Sequence, residues 1–143
     1  MSSNTTPVNE PAKPARPQRV LIADAASGMR IYLRSILTGA GYVCTEVEDG
    51  GAAFDLLLRE SFDLLVTELD LPEMDGFQLL AAISILPASR GRPAVIVCSA
   101  LLDETLAERR PELRTAAVLL AKPVQPEDVL KAAQKALKSA RSC

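Results

Sequence analysis

Four short apolar runs, each of strand length and each followed by a polar or charged residue, constrain the fold of this chain most. They are residues 20–23, 64–66, 94–98 and 117–121. Runs of this kind, without alternation of apolar and polar positions, are typical of parallel strands that are buried on both faces. A fifth segment, residues 42–47, is more mixed in character and predicts a more exposed strand.

Segments of helical composition separate these strands. The first is predicted to begin with Ser27 as its N-cap, and the fourth to span residues 101–114, shortened or kinked by Pro111. Five strand–helix repeats in about 120 residues imply right-handed crossovers and a parallel sheet with helices on both faces. We therefore predict an α/β fold, a doubly wound (βα)5 sheet of the flavodoxin-like type with strand order 2-1-3-4-5.

The amino-terminal segment differs in composition from the rest. Residues 1–18 contain four prolines among polar residues and too few apolar side chains to offset the entropy of ordering. We predict that residues 1–18 form a disordered arm and that residues 19–141 form one domain, with no boundary for a second.

Composition excludes several classes of function. The 143-residue chain has a net charge of -2 and no histidine, which argues against a nucleic-acid footprint and removes imidazole ligands and Ser–His or Cys–His nucleophiles. Its three cysteines lack CxxC spacing, which is typical of a reduced compartment. Without a long apolar run or a signal peptide, we expect a cytoplasmic protein that binds neither membrane nor nucleic acid.

Polar residues that follow four different strands are expected to meet. Asp24, Glu68, Ser99 and Lys122 each stand at or just after the end of an apolar run. The carboxyl ends of parallel strands share one edge of the sheet, where open α/β sheets place their ligand sites. Carboxylates facing an ammonium group and a hydroxyl suit phosphoryl chemistry with a hard divalent cation.

The sequence around these residues resembles a known family. The segments VLIADAASGMR (residues 20–30), LLVTELDLPEMDG (64–76), VIVCSA (95–100) and LLAKPV (119–124) are similar to motifs of bacterial response-regulator receiver domains. The resemblance covers roughly residues 19–140 and implies the same flavodoxin-like fold.

The resemblance implies a role for each residue of the predicted site. Glu68 stands where the family carries the aspartate that accepts the phosphoryl group, and Lys122 stands at the position of its invariant-type lysine, before a bond that is often cis. Ser99 matches the switch Ser/Thr. Leu119 stands where the family often has the Tyr or Phe that swings inward when that residue moves.

The implied metal site is incomplete. Ala25 replaces the second of two adjacent acidic residues, so one metal-binding carboxylate is absent. Asp24, Glu68 and Asp70 remain as candidate ligands, with Asp70 able to act through water. Because Mg²⁺ requires near-octahedral oxygen ligands, we expect a weak or lost Mg²⁺ site and no other cofactor.

These departures favour a receiver-like signalling protein that is not phosphorylated in the usual way. A glutamate places its oxygens about 1.5 Å further from the main chain, and about 1 Å of misplacement can cost on the order of 10²-fold in an in-line reaction. The longer carboxylate can instead reach Lys122 and Ser99, where it would partly resemble a phosphorylated aspartate. We expect no enzymatic activity and an effect exerted through a histidine kinase, a motor or a regulatory partner at the helix 4–strand 5–helix 5 face.

Two alternatives stay open. The first is a receiver that still accepts a phosphoryl group, on Asp70 or Asp24. The second is a second-messenger sensor, in which Arg109, Arg110 and Arg114 hold a phosphodiester.

Overall fold

The computed structural model describes residues 16–87, 89 and 91–141 and contains one parallel sheet of five strands in the order β2-β1-β3-β4-β5. The strands are β1 (Arg19–Ala23), β2 (Val43–Val47), β3 (Leu64–Thr67), β4 (Ala94–Ser99) and β5 (Val118–Ala121). The helices are α1 (Ser27–Gly39), α2 (Gly50–Arg59), α3 (Gly76–Ser84), α4 (Leu106–Arg109) and α5 (Pro126–Arg141), with a 3-10 helix at Pro111–Thr115. The predicted doubly wound α/β fold and its strand order are confirmed.

Two apolar layers, one on each face of the sheet, hold the fold together. Leu21 and Leu65 point to the layer covered by α2, α3, α4 and the 3-10 helix. Their neighbours Val20, Ile22 and Leu64 point to the opposite layer, which is covered by α1 and α5. Because both faces of the central strands are buried, nearly every position along them is apolar up to the polar residue at the carboxyl end, which explains the continuous runs in the sequence.

The start of α1 differs from the prediction. Ser27 is the first residue of the helix, not its N-cap; the N-cap is Ala26, whose side chain makes no capping bond. The Ala26 amide donates to Asp24 Oδ1 at 2.9 Å. The carboxylate of Asp24 therefore fixes the turn that precedes the helix, so no hydroxyl cap is required.

The fourth helix is much shorter than predicted. α4 has only four residues, and the chain continues as the 3-10 helix that begins at Pro111. Proline lacks the amide hydrogen that an α-helix would use and clashes with the carbonyl four residues earlier. At the other end, the Asp103 carboxylate accepts from the amide of Thr105 at 2.8 Å and from its hydroxyl at 3.0 Å, which holds a turn where the helix was expected to begin.

The loop between β3 and α3 is tightly packed behind Glu68. Asp75 caps α3 through a reciprocal capping box with Gln78. A Cβ atom on Gly76 would lie 2.6 Å from the Glu68 carbonyl oxygen and 2.6 Å from Leu69 Cα. Only glycine allows this approach, so the helix start fixes the main chain of Glu68.

The ends of the chain are described only in part. Residues 1–15 of the predicted arm, and Cys143, lie outside the described residues. Residues 16–18 contact the domain: the Gln18 carbonyl accepts from the Val43 amide at 3.0 Å, and Arg16 lies 3.3 Å from the Asp63 carboxylate. The division at residue 18 stays a prediction. None of the described helices has the length and apolar composition needed to cross a membrane.

Candidate functional site

The ammonium group of Lys122 joins two buried carboxylates at the carboxyl edge of the sheet. Its Nζ atom lies 2.8 Å from Asp24 Oδ2 and 2.8 Å from Glu68 Oε1. Asp24 is 3% exposed and Glu68 is 8% exposed, so both charges are removed from bulk water. Three of the four residues that were predicted to meet at this edge thus form one ionic cluster. The buried hydroxyl of the fourth, Ser99, faces the Glu68 carboxylate.

The second oxygen of Glu68 is bonded to the main chain that follows it. Glu68 Oε2 accepts from the Leu69 amide at 2.6 Å and from the Asp70 amide at 3.3 Å. The buried hydroxyl of Thr67 donates to the Glu68 carbonyl at 2.9 Å. The longer glutamate side chain therefore folds back on its own loop with one oxygen and reaches Lys122 with the other.

The hydrogen bonds around Glu68 and Lys122 shift the pKa of both groups. Burial raises the pKa of Glu68, but hydrogen bonds from Lys122, Ser99 and the Leu69 amide outweigh burial and hold that pKa below its ordinary value of 4.5. Burial lowers the pKa of Lys122, and the carboxylates of Asp24 and Glu68 more than reverse this and raise it. Glu68 and Lys122 are therefore charged at neutral pH, a carboxylate beside an ammonium ion.

Ser99 and Cys98 complete the end of β4. The Ser99 hydroxyl oxygen accepts from the Leu101 amide at 3.1 Å, and its carbonyl accepts from the Lys122 amide at 3.1 Å. The Lys122–Pro123 bond is cis. Burial raises the pKa of the Cys98 thiol to about 11, so this cysteine is a neutral apolar neighbour of the cluster.

Arg30 is a residue of the site that sequence reasoning missed. Its Nη1 atom donates to the carbonyls of Asp24 and Ala25 at 2.8 and 3.3 Å, and its Nε atom lies 3.4 Å from Glu46 Oε1. The guanidinium group thereby fastens the loop after β1 to the end of β2. Main-chain carbonyls as partners leave no pattern of residue types, so the sequence offered no signal for this role.

Three predicted residues lie outside the cluster. The Asp70 side chain is exposed, and only its amide contacts Glu68. Ala25 is exposed and supplies only a methyl group. Leu119 is 39% exposed on β5.

The donor set fits a divalent cation poorly. Lys122 binds one oxygen of each buried carboxylate, and main-chain amides bind the other two oxygens. Within residues 16–87, 89 and 91–141, no group of three or more cysteine, aspartate or glutamate side chains is arranged to hold a metal ion. With Ala25 offering no oxygen from its side chain, the residues present do not fit Mg²⁺.

The arginines considered for a second-messenger site already have partners. Arg109 lies 3.3 Å from the Asp103 carboxylate. Arg110 lies 3.2 Å from Glu112 and stacks over the Phe77 ring at 3.5 Å from its centre. Only the exposed Arg114 lacks a carboxylate partner among the described residues, so these side chains do not form a joint anion site.

Comparison with known proteins agrees with this geometry. Residues 20–134 match the response regulator receiver domain family. The chain is 32% identical to the chemotaxis protein CheY of Bacillus subtilis over 120 residues, which are 83% of this chain and 97% of that protein. It is also 32% identical to CheY of Thermotoga maritima over 123 residues, 85% of this chain and 98% of that protein. The high-resolution structure of the chemotaxis response regulator CheY4 of Vibrio cholerae superposes with a TM-score of 0.75 at 26% identity, covering 85% of this chain and 100% of that one.

The chain belongs to the receiver domain family of response regulators. It is a receiver-domain signalling protein of a two-component system. Receiver domains as a class bind Mg²⁺ and contact other signalling proteins such as histidine kinases.

Proposed function

We propose that this chain is a degenerate receiver, a pseudo-receiver, that signals through protein–protein contact without being phosphorylated. The observation that carries the proposal is the bonding of Glu68. One oxygen is held by Lys122 at 2.8 Å and the other by the Leu69 amide at 2.6 Å. Phosphoryl transfer needs the acceptor oxygen aligned for in-line attack, and here hydrogen bonds orient both oxygens of Glu68 toward groups of the protein itself.

The proposed loss of Mg²⁺ follows from the same contacts. Phosphoryl transfer relies on a divalent cation to neutralise charge on the transferred group. Here the ammonium of Lys122 binds both carboxylates and compensates one of their two charges, and Ala25 supplies no third carboxylate for a divalent cation. The side chain of Asp70, the other candidate ligand, is exposed, and among the described residues the carboxylates that pair with Lys122 are those of Asp24 and Glu68.

We propose that the partner binds the receiver in one fixed conformation. In the family the phosphoryl group gathers the lysine and the hydroxyl; here the Glu68 carboxylate already occupies that position, between Lys122 and Ser99. We place the partner, a histidine kinase, a motor or a regulatory protein, on the α4–β5–α5 face. We assign the chain no catalytic activity and a cytoplasmic location.

The test is the intact mass of the full-length protein after incubation with a small phosphodonor and Mg²⁺. The variants Glu68→Asp and Ala25→Asp/Glu68→Asp are treated in parallel. We expect no phosphoryl adduct on the wild type and a stoichiometric adduct on the double variant, because the double variant regains both the short acceptor and the third carboxylate. A stoichiometric adduct on the wild type would refute the proposal.

The same experiment tests the phosphorylation-competent alternative. Asp24 is 3% exposed and bonded to Lys122, which leaves the exposed Asp70 as its better-placed acceptor. If a wild-type adduct appears and Asp70→Asn abolishes it, the chain is a receiver with a displaced acceptor. We expect Asp70→Asn and the wild type to be equally unlabelled.

A further inference from the structure

The edge strand β2 uses only one of its two sides for pairing. It pairs with β1 in parallel, and among the described residues no strand lies on its outer side. The Val43 amide donates to the Gln18 carbonyl at 3.0 Å, and the Val47 carbonyl accepts from the Asp24 amide at 3.2 Å. Val43 and Val47, at the two ends of β2, therefore both turn their main chain toward β1.

The main chain of Cys44 and Glu46 points outward. Successive residues of a strand turn their main-chain groups to opposite sides, so Thr45 faces β1 as Val43 and Val47 do, and the two residues between them face away from it. An edge of this kind is a template for a further strand. β2 lacks the usual protection, because its sequence, VCTEV, contains no proline or lysine and its register with β1 has no bulge.

Apolar side chains flank this edge on both faces of the sheet. On the face of α2, Val43 is 49% exposed. On the face of α1, Arg34 lies 3.0 Å from Glu46 and so marks the side of the helix that is turned to β2. Ile31 stands three residues before Arg34, on the same side of α1, and is 64% exposed. The open main chain thus lies between two apolar surfaces that lack cover.

We propose that β2 pairs with β2 of a second copy of this chain, antiparallel and about a two-fold axis at Thr45, so that two five-stranded sheets become one. Cys44 then lies opposite Glu46 of the second copy, and these residues exchange both of their outward main-chain hydrogen bonds. Val43 lies opposite Val47 of the second copy, and Thr45 lies opposite itself. Facing β-branched side chains favour such a pairing, and a two-fold interface requires this self-complementarity.

The charges at the edge favour a second copy over a charged segment of another protein. Glu46 lies 3.4 Å from Arg30 and 3.0 Å from Arg34, and Glu48 lies 4.0 Å from Arg30. Two arginines and two glutamates leave this surface without net charge, so neither an acidic nor a basic segment has a complementary field to follow. Two copies can meet here without burying an uncompensated charge.

The first test is analytical ultracentrifugation of the full-length protein up to about 1 mM, with residue-resolved amide hydrogen exchange at each concentration. A small interface of this kind predicts a reversible dimer with a Kd of about 0.1 mM. Exchange at the Cys44 and Glu46 amides should slow as the concentration rises. Thr45→Lys places two like charges on the axis and should weaken dimerisation at least about tenfold. Ile85→Lys, at a residue that is 82% exposed beyond α3, should have no effect.

The second test is disulfide cross-linking of Thr45→Cys, with Cys143 replaced by serine throughout. Residues that face each other without hydrogen bonds in an antiparallel pair have Cα atoms about 4.5 Å apart, a distance that a disulfide can span. Thr45→Cys should therefore form a covalent dimer under mild oxidation, much faster than the control Ile85→Cys.

A protein that stays monomeric at about 1 mM would overturn the proposal. A dimer in which exchange at Cys44 and Glu46 is unchanged, or a Thr45→Cys variant that cross-links no faster than Ile85→Cys, would also overturn it by placing the contact elsewhere. None of these results depends on phosphorylation, so a failure here is distinct from a failure of the proposed function.

Discussion

Replacing Lys122 with methionine should destabilise the fold strongly and in a pH-dependent way. The substitution keeps most of the side-chain length and removes the ammonium that lies 2.8 Å from both Asp24 and Glu68. Two carboxylates, 3% and 8% exposed, would then lie near each other without a counter-charge. Removing one member of a buried ion pair costs about 3–5 kcal/mol.

The lower part of that range is expected here. The side chain of Lys122 is 18% exposed, so water can reach the cluster in part. We expect a loss of about 3 kcal/mol at pH 7, which corresponds to a fall in Tm of about 10 °C for a domain of this size. In the variant, burial raises the pKa of Glu68 without the opposing hydrogen bond from Lys122, so the loss should shrink as the pH falls toward 5.

The assay is urea unfolding followed by circular dichroism at pH 7 and pH 5, with the m-value checked for constancy. The matched control is Glu68→Gln/Lys122→Met, which removes one buried charge together with the ammonium and should be more stable at pH 7 than Lys122→Met alone. A loss below about 1 kcal/mol at pH 7 would mean that the cluster behaves as an exposed ion pair. A loss that is equal at both pH values would show that packing, not charge, is the cause.

Other substitutions test the parts that hold the site. Gly76→Ala should cost about 1–3 kcal/mol in a thermal melt because its Cβ would meet main-chain atoms at 2.6 Å, whereas Gly28→Ala, with nothing within 4 Å, should be neutral or stabilising. Asp49→Ala should cost about 0.5–2 kcal/mol, since the Asp49 carboxylate accepts from the Ala52 amide at 2.7 Å at the start of α2. The depressed pKa of Glu68 contributes stability that is present above its ordinary value of 4.5 and lost as the pH falls through the folded pKa, so Glu68→Gln should lose less Tm than the wild type below pH 4.5.

The sheet could be predicted because its signal is local and strong. Strands buried on both faces form nearly continuous apolar runs, and the polar residue at the end of each run marks the carboxyl edge. The meeting of Asp24, Glu68 and Lys122 then follows from topology alone. That Glu68 reaches Lys122 with one oxygen follows from the length of its side chain.

Other features depend on contacts that the sequence does not display. Arg30 acts through main-chain carbonyls, which every residue has, so no pattern of residue types reveals it. The short α4 results from Pro111 together with the turn at Asp103, and composition alone favoured a longer helix. Leu119 is 39% exposed on β5, and the apolar run at residues 117–121 gave no sign of that exposure.

The central claim is that Glu68 holds the receiver in one state that a phosphodonor cannot change. The most direct measurement is the ¹H–¹⁵N amide spectrum of the wild type before and after addition of a small phosphodonor and Mg²⁺, with Ala25→Asp/Glu68→Asp as the responsive control. The account predicts an unchanged wild-type spectrum, and in the double variant shifts at Ser99, Lys122 and the residues of β5. Shifts of the same residues in the wild type would contradict it.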